Sequence, residues 1–226
     1  METKLIMFDC DGVVVDSENI FKTSQKEALE RQNIHVTEKW LTQNTHGFQL
    51  EDTLNAVECL SGKRIDRASY NRDYEDMLML RFTNTLKPIE GVLDICKTLC
   101  AMQKQICLAT GGEPEITDLK LRSTGTDHYF TPDVRFFGTQ VQNPKPAPDI
   151  FQYAAKIMKY DPEDCLVIED SPLGIVGAKA AGMRTIGFLG GSHTPLAGKE
   201  DYSRKLIDAG ADIVIDCYVN LMEVMP

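Results

Sequence analysis

The amino-acid sequence predicts an α/β fold, a parallel β-sheet covered by helices and interrupted by one helical insertion. Short apolar runs rich in β-branched residues recur, each followed by a Gly, Pro or Ser break and a helical pattern; the clearest runs are 5–8, 106–109, 165–168, 185–189 and 213–215. Strands that alternate with helices indicate βαβ units, whose strands are parallel and buried on both faces.

The insertion lies between the first two predicted strands. Four helical patterns follow one another there without a convincing strand, at 17–31, 38–44, 50–60 and 66–82. A single crossover connection needs far fewer residues than this. We therefore predict a core domain of residues 1–15 and 88–226 and a separate helical domain of residues 16–87.

Composition narrows the class of protein. The chain has 226 residues, of which 42% are hydrophobic and 26% charged, as is ordinary for a soluble globular protein. No run approaches the ~18 apolar residues of a membrane-spanning helix. The net charge of −10 argues against nucleic-acid and anionic membrane partners. Seven cysteines without a CxxC pair indicate reduced thiols and a cytoplasmic location.

Acidic residues follow two of the predicted strands. Asp9 and Asp11 come after the first strand, and in an extended chain residues two apart point the same way. Glu169 and Asp170 end another strand, where adjacent carboxylates are costly unless a cation is present. Ligands of open α/β sheets bind beyond such strand ends, and oxygen ligands suit Mg²⁺. The alternatives are an ordinary Asp-Gly turn and a helix N-cap at Asp170 or Ser171.

Two further motifs suit an anion. Thr110 offers a hydroxyl at a strand end, and Gly111 and Gly112 leave backbone N–H groups open ahead of a helix that begins at Pro114. Lys145 lies between two prolines, which we expect to hold it extended and pre-positioned. A hydroxyl, a lysine and open amides together suit a phosphoryl group. Taken alone, each motif also fits a tight turn or a solvated loop lysine.

These motifs, in this order and spacing, resemble those of the haloacid dehalogenase superfamily. They read DCDGVVVDSE, LATGG, NPKPAPDIF and VIEDSPLGIVGAKAAGM. The resemblance covers nearly the whole chain and is to the β-phosphoglucomutase-like branch with a C1-type helical cap, which includes bacterial sugar-phosphate and 6-phosphogluconate phosphatases. It implies a Rossmann-like core domain and a helical cap domain at residues 16–87.

The resemblance also implies a role for each strand-end residue. Asp9 would be the nucleophile and Asp11 the general acid and base. The transferring phosphoryl group would be held by Thr110, Gly111 and Lys145 together with Asp9. The implied cofactor is Mg²⁺, bound by Asp9, by Asp170 and by the backbone carbonyl of Asp11, with Glu169 in support.

Substrate specificity would come from the cap. Asp16 and the cap residues near it would form part of the closing entrance. His46 and Gln49 are candidate specificity residues, with Arg72 and Lys87 as further candidates. For each of these, a solvated surface position is the alternative.

Two cap positions distinguish hydrolysis from isomerisation. In the mutases that the chain resembles, a histidine stands at the position of Phe21 and an arginine at that of Leu50, and both help to hold a bisphosphorylated intermediate. Their absence favours a Mg²⁺-dependent phosphatase that acts on a small phosphorylated metabolite, such as a sugar phosphate, through an aspartyl-phosphate. We expect a monomer or weak dimer. A sugar phosphomutase and a non-catalytic phosphate-binding relative remain the alternatives.

Overall fold

A six-stranded parallel sheet forms the centre of the structure. The structure is a computed structural model and describes residues 3–45, 50–194 and 198–225. The strand order is β3-β2-β1-β4-β5-β6. The strands are β1 (Leu5–Phe8), β2 (Gln105–Thr110), β3 (Arg135–Phe137), β4 (Cys165–Glu169), β5 (Arg184–Phe188) and β6 (Ile213–Ile215). Every neighbouring pair is parallel, which confirms the predicted α/β fold.

Strand β3 was not predicted. It is three residues long and begins with Arg135, so its sequence lacks the apolar run that marks the other strands. The arginine is nevertheless buried, because its Nη1 donates to Asp118 Oδ1 at 2.6 Å and its Nε donates to the carbonyl of Phe130. A strand at the edge of the sheet therefore forms around a buried arginine whose ion-pair partner no local pattern indicates.

Ten α-helices accompany these strands in the described residues. They are α1 (Glu18–Arg31), α2 (Glu38–Asn44), α3 (Leu50–Ser61), α4 (Arg67–Asn84), α5 (Val92–Ala101), α6 (Pro114–Thr124), α7 (Asp149–Met158), α8 (Pro172–Ala180), α9 (Lys199–Asp208) and α10 (Leu221–Val224). The buried faces of α7 and α8 share one hydrophobic cluster with alternate residues of β1, including Leu5 and Met7. Side chains of a strand alternate between the two faces of a sheet, so this cluster forms one face of the core.

The chain divides into two compact units. One, here called the core unit, comprises residues 1–16 and 86–226, and the other, the helical unit, comprises residues 17–85. The helical unit contains α1 to α4 and has its own hydrophobic cluster, in which Leu29, Val57 and Tyr70 are buried. It thus has the separate apolar core that an independent domain needs. Across the described parts of both units, no helix is long and apolar enough to cross a bilayer.

Candidate active site

The carboxyl ends of three neighbouring strands bring the predicted residues together. Strand β1 lies between β2 and β4, with Phe8 level with Leu108 on one side and with Ile168 on the other. The next residue, Asp9, continues this pairing, since its N–H donates to the carbonyl of Ile168 at 3.0 Å. The side chains that follow these strands therefore leave the sheet at the same edge, as the sequence predicts.

Three carboxylates converge at this edge. Asp9, Glu169 and Asp170 each offer an oxygen that lies within 4.8 Å of the other two, and their exposed fractions are only 9%, 1% and 8%. Buried carboxylates at this separation repel one another unless cations offset their charge. Oxygen ligands in a cluster of this size fit a hard divalent ion such as Mg²⁺.

Lys145 supplies one of the required positive charges. Its Nζ donates to Asp9 Oδ1 at 2.6 Å, to Glu169 Oε1 at 2.5 Å and to the carbonyl of Ala109 at 3.0 Å. The expectation of an extended segment is wrong here, because residues 144–147 form a turn in which the N–H of Ala147 donates to the carbonyl of Pro144 at 2.9 Å. This turn carries the lysine to the strand edge.

The pKa values reflect this crowding. Burial is the main cause that raises the pKa of Asp9 to about 7; the positive charge of Lys145 opposes the shift, and the charges of Glu169 and Asp11 contribute to it. Burial disfavours the charged form of Lys145, but the charges of Asp9 and Glu169 outweigh this effect and raise its pKa. The lysine therefore stays protonated at neutral pH, and Asp9 is poised to gain or lose a proton there.

Glu169 is fixed from its other side by the start of α8. Its Oε2 accepts from the backbone N–H of Ser171 at 3.2 Å and from the Ser171 hydroxyl at 3.0 Å. That hydroxyl oxygen also accepts from the N–H of Gly174 at 3.1 Å and so caps the helix. The motif therefore provides both a helix N-cap, which is Ser171, and a carboxylate of the acidic cluster, which is Asp170.

The carboxylate of Asp11 pairs with a buried lysine and is not one of the three that converge. Its two oxygens accept from Nζ of Lys120 at 2.6 and 2.8 Å. Sequence analysis overlooked Lys120, because its burial is visible only in the structure, where Thr117, Lys120, Leu121 and Thr124 are the buried residues of α6. A lysine is almost never fully buried unless it is paired.

Thr110 and Gly111 lie at the end of β2. The side chain of Thr110 is buried, and its Oγ1 accepts from the N–H of Gly112 at 3.1 Å, which leaves the hydroxyl proton available to another acceptor. Apart from its two chain neighbours, no atom of the described residues lies within 4 Å of the position that a Cβ on Gly111 would occupy. The turn is therefore open on this side, as an anion-binding turn requires.

Asp16 holds a loop of the core unit. Its Oδ1 accepts from both the backbone N–H and the hydroxyl of Ser192, at 3.1 and 2.9 Å. Next in this loop is His193, whose Nε2 lies 3.2 Å from Oδ2 of Asp170. Sequence analysis missed His193, although the run Gly-Gly-Ser-His follows strand β5 in the way that other site residues follow theirs.

The candidate specificity residues have mixed outcomes. His46 and Gln49 lie outside the described residues. Arg72 is exposed, and its Nη2 donates to the hydroxyl of Ser69 at 3.3 Å, while Lys87 is exposed in the core unit. The exposure of both residues agrees with the solvated surface position that was the alternative for each.

The two positions that distinguish mutases are hydrophobic contacts of the helical unit. The ring of Phe21 meets that of Phe82 edge to face, with centroids 5.5 Å apart. Leu50 packs against the hydrophobic cluster of the same unit. Both side chains therefore contribute apolar packing at the two positions where the resemblance expects a histidine and an arginine in a mutase.

Comparisons with known proteins agree with this geometry. A family model described as haloacid dehalogenase-like hydrolase matches residues 6–188. A phosphorylated carbohydrates phosphatase of Thermotoga maritima is 30% identical over 207 residues, which cover 91% of each chain. The 6-phosphogluconate phosphatase of Escherichia coli is 27% identical over 188 residues, or 83% of each chain. The β-phosphoglucomutase of Bacillus subtilis is 26% identical over 223 residues, or 93% of each chain.

Solved structures show the same architecture. A crystal structure of a conserved haloacid dehalogenase-like protein of unknown function from Agrobacterium tumefaciens superimposes with a TM-score of 0.85 and is 32% identical. The match covers 98% of this chain and 97% of the other. The similarity therefore extends over both units of the chain.

Proposed function

The chain belongs to the haloacid dehalogenase-like hydrolase family and is a phosphatase of that family, and we propose that it hydrolyses small sugar phosphates or related phosphorylated metabolites with the help of Mg²⁺. One observation carries this proposal. The ammonium of Lys145 lies 2.6 Å from Asp9 inside a cluster of three buried carboxylates. A candidate nucleophile, a fixed cation and a candidate metal site thus lie together at one edge of the sheet, which is what phosphoryl transfer requires.

The acidic cluster would hold the metal. Asp9 and Asp170 would be ligands through their side chains, the backbone carbonyl of Asp11 would be a third, and Glu169 would act through Lys145. A bound Mg²⁺ supplies charge that neutralises phosphoryl oxygens and keeps them in line for attack. With that charge in place, a dianionic ester can enter a protein whose net charge is −10.

Asp9 and Asp11 would divide the chemistry between them. An oxygen of Asp9 would attack phosphorus, the bond from phosphorus to the leaving oxygen would break, and Asp11, in its protonated form and not in the ion pair with Lys120, would give its proton to the departing alkoxide. Asp11 then takes a proton from the water that attacks the aspartyl-phosphate, which releases phosphate and restores Asp9. Lys145, the hydroxyl of Thr110 and the amide of Gly111 would bind the phosphoryl oxygens throughout.

The substrate would be a small phosphorylated metabolite. The relatives named as phosphatases of 6-phosphogluconate and of phosphorylated carbohydrates support a phosphorylated sugar or sugar acid. The acidic charge of the chain opposes nucleic-acid substrates, whose backbone binds basic surfaces. Seven free cysteine thiols support a cytoplasmic location.

A panel of phosphomonoesters tests this proposal. Release of phosphate should require Mg²⁺ and should stop with EDTA, and kcat/KM across the panel should rank the substrates. Asp9→Asn should abolish turnover and keep the fold. If no ester is hydrolysed with Mg²⁺ present, the proposal is wrong.

Two further assays of the purified protein distinguish a phosphatase from a mutase and from a non-catalytic binding protein. A coupled dehydrogenase assay that detects isomerisation of a hexose 1-phosphate would instead identify a mutase, against which the packing of Phe21 and Leu50 argues. A rise in Tm with phosphorylated ligands but no hydrolysis would identify a non-catalytic binding protein.

A further inference from the structure

Asp170 contacts three segments of the core unit that the proposed chemistry does not use, two through its carboxylate and one through its backbone carbonyl. They are the turn at Gly12, the loop that carries His193, and helix α9 at Tyr202. We propose that His193 is a positioning residue, which fixes the carboxylate of Asp170 in the orientation that binds the divalent cation. This inference rests on the proposed function only in taking Asp170 as a metal ligand.

The carboxylate is confined on two sides. Nε2 of His193 lies 3.2 Å from Oδ2 of Asp170. The same Oδ2 is 1.9 Å from the position that a Cβ on Gly12 would occupy. Oδ2 therefore packs against the backbone of Gly12 on one side and contacts Nε2 of His193 on the other. A rotation of the carboxylate would lose the contact with the imidazole.

The imidazole is itself held in place. It is 4% exposed, and a Cβ on Gly191 would lie 2.6 Å from both its Nδ1 and its Cε1. Its ring meets that of Tyr202 edge to face, with centroids 6.4 Å apart and an interplanar angle of 89°. Asp16 anchors the adjacent Ser192 through the hydrogen bonds described above. A buried side chain with contacts on several sides retains its position when its neighbours exchange ligands.

Tyr202 fixes the backbone of the same aspartate. Its hydroxyl donates to the carbonyl oxygen of Asp170 at 3.0 Å. The main chain and the side chain of Asp170 are therefore each held by a group from outside strand β4. Such double support is typical of metal-binding carboxylates, whose outer partners set the direction of the ligand oxygen.

His193 would act through Asp170 and not as a ligand. The three ligand atoms that lie within 4.8 Å of one another come from Asp9, Glu169 and Asp170, and His193 is not in that group. An imidazole N–H that donates to one carboxylate oxygen leaves the other oxygen to the cation. Loss of such an outer partner costs about 10-fold to 100-fold in metal affinity.

Binding of Mn²⁺ to the full-length protein, followed by electron paramagnetic resonance without substrate, tests the proposal. His193→Ala should raise the Kd for Mn²⁺ by about 10-fold or more. His193→Gln should keep most of the affinity, because its side-chain amide can still donate to Asp170. His128→Ala, at an exposed histidine of the same unit, is the matched control and should bind as the wild type does.

Three results would overturn the proposal. The first is a wild-type Kd in His193→Ala, and the second is equal loss of affinity in His193→Gln and His193→Ala. The third is strong ¹⁴N coupling between Mn²⁺ and an imidazole in the wild type that is lost in His193→Ala, which would make His193 a direct ligand. Because no substrate is present, failure of the phosphatase assay leaves the binding result intact, so the two proposals fail separately.

Discussion

Nζ of Lys120 lies 2.6 and 2.8 Å from the two carboxylate oxygens of Asp11, although the lysine is only 1% exposed. Burial disfavours the Lys120 cation, but the charge of Asp11 outweighs this effect and raises the pKa of the lysine. The ammonium therefore stays charged inside the core unit. The contact aligns both oxygens of Asp11 toward helix α6, so one ion pair couples a candidate acid and base to the packing of the core.

This pair predicts a stability effect. Asp11→Ala should lower the free energy of unfolding by roughly 3 kcal/mol, because a buried ammonium loses its carboxylate. Lys120→Met in the same chain should restore much of that loss, since a methionine needs no counter-charge. Urea denaturation of the two single variants and the double variant measures the coupling. Additive effects of the two substitutions would show that the pair contributes no stability.

The raised pKa of Asp9 predicts how divalent-ion binding depends on pH. Burial raises the pKa of Asp9 to about 7 in the metal-free protein, and the cation requires the ionised form. The Kd for Mn²⁺ should therefore fall as the pH rises from about 5.5 to 7.5, by up to about 10-fold per pH unit below the pKa. Titrations at several pH values measure this trend. A Kd that does not change over that range would contradict it.

The same shift predicts the stability of the metal-free protein. The folded-state pKa of Asp9 lies above its ordinary value of 3.8, so the folded state binds the proton more tightly than the unfolded state does. The contribution of this group to the free energy of unfolding should therefore decrease as the pH rises from about 4 to 7. Asp9→Asn, which cannot ionise, should flatten that part of the pH profile measured in EDTA. Identical wild-type and variant profiles would contradict the expectation.

Lys145→Met should separate two effects of one lysine. Loss of the ammonium should reduce kcat by about 100-fold to 1000-fold, because the transferring phosphoryl group loses a fixed positive charge that stabilises it. It should also increase the rise in Tm on addition of saturating Mg²⁺, since the remaining carboxylates of Asp9 and Glu169 repel each other more strongly without it. Thermal unfolding with Mg²⁺ and with EDTA measures this second effect. A rise equal to that of the wild type would show that Lys145 does not offset the charge of the cluster.

Gly174→Ala should disturb the site through Glu169. A Cβ at position 174 would lie 1.9 Å from Cδ and Oε1 of Glu169, the carboxylate that binds Lys145. The overlap should cost about 1–3 kcal/mol and should lower kcat as Glu169 moves. A wild-type kcat in a folded Gly174→Ala variant would show that Glu169 can move without consequence.

Local sequence was sufficient to predict where the strands end and which acidic residues follow them. An apolar run predicts a buried strand, and parallel strands end at one edge of a sheet, so Asp9, Thr110 and Asp170 could be placed together without coordinates. The short strand β3 could not be predicted, because Arg135 is buried through an ion pair with Asp118, which is 17 residues away in the chain.

What the sequence by itself determined was which side chains leave the sheet at that edge, because strand period and strand end are local properties. Only the tertiary structure decided which groups those side chains bind. Lys145 meets an aspartate 136 residues away, Lys120 meets one 109 residues away, and His193 meets Asp170 across the end of the sheet. A buried charge needs a partner, but helix packing and loop anchoring select that partner, and neither leaves a periodic trace in the sequence.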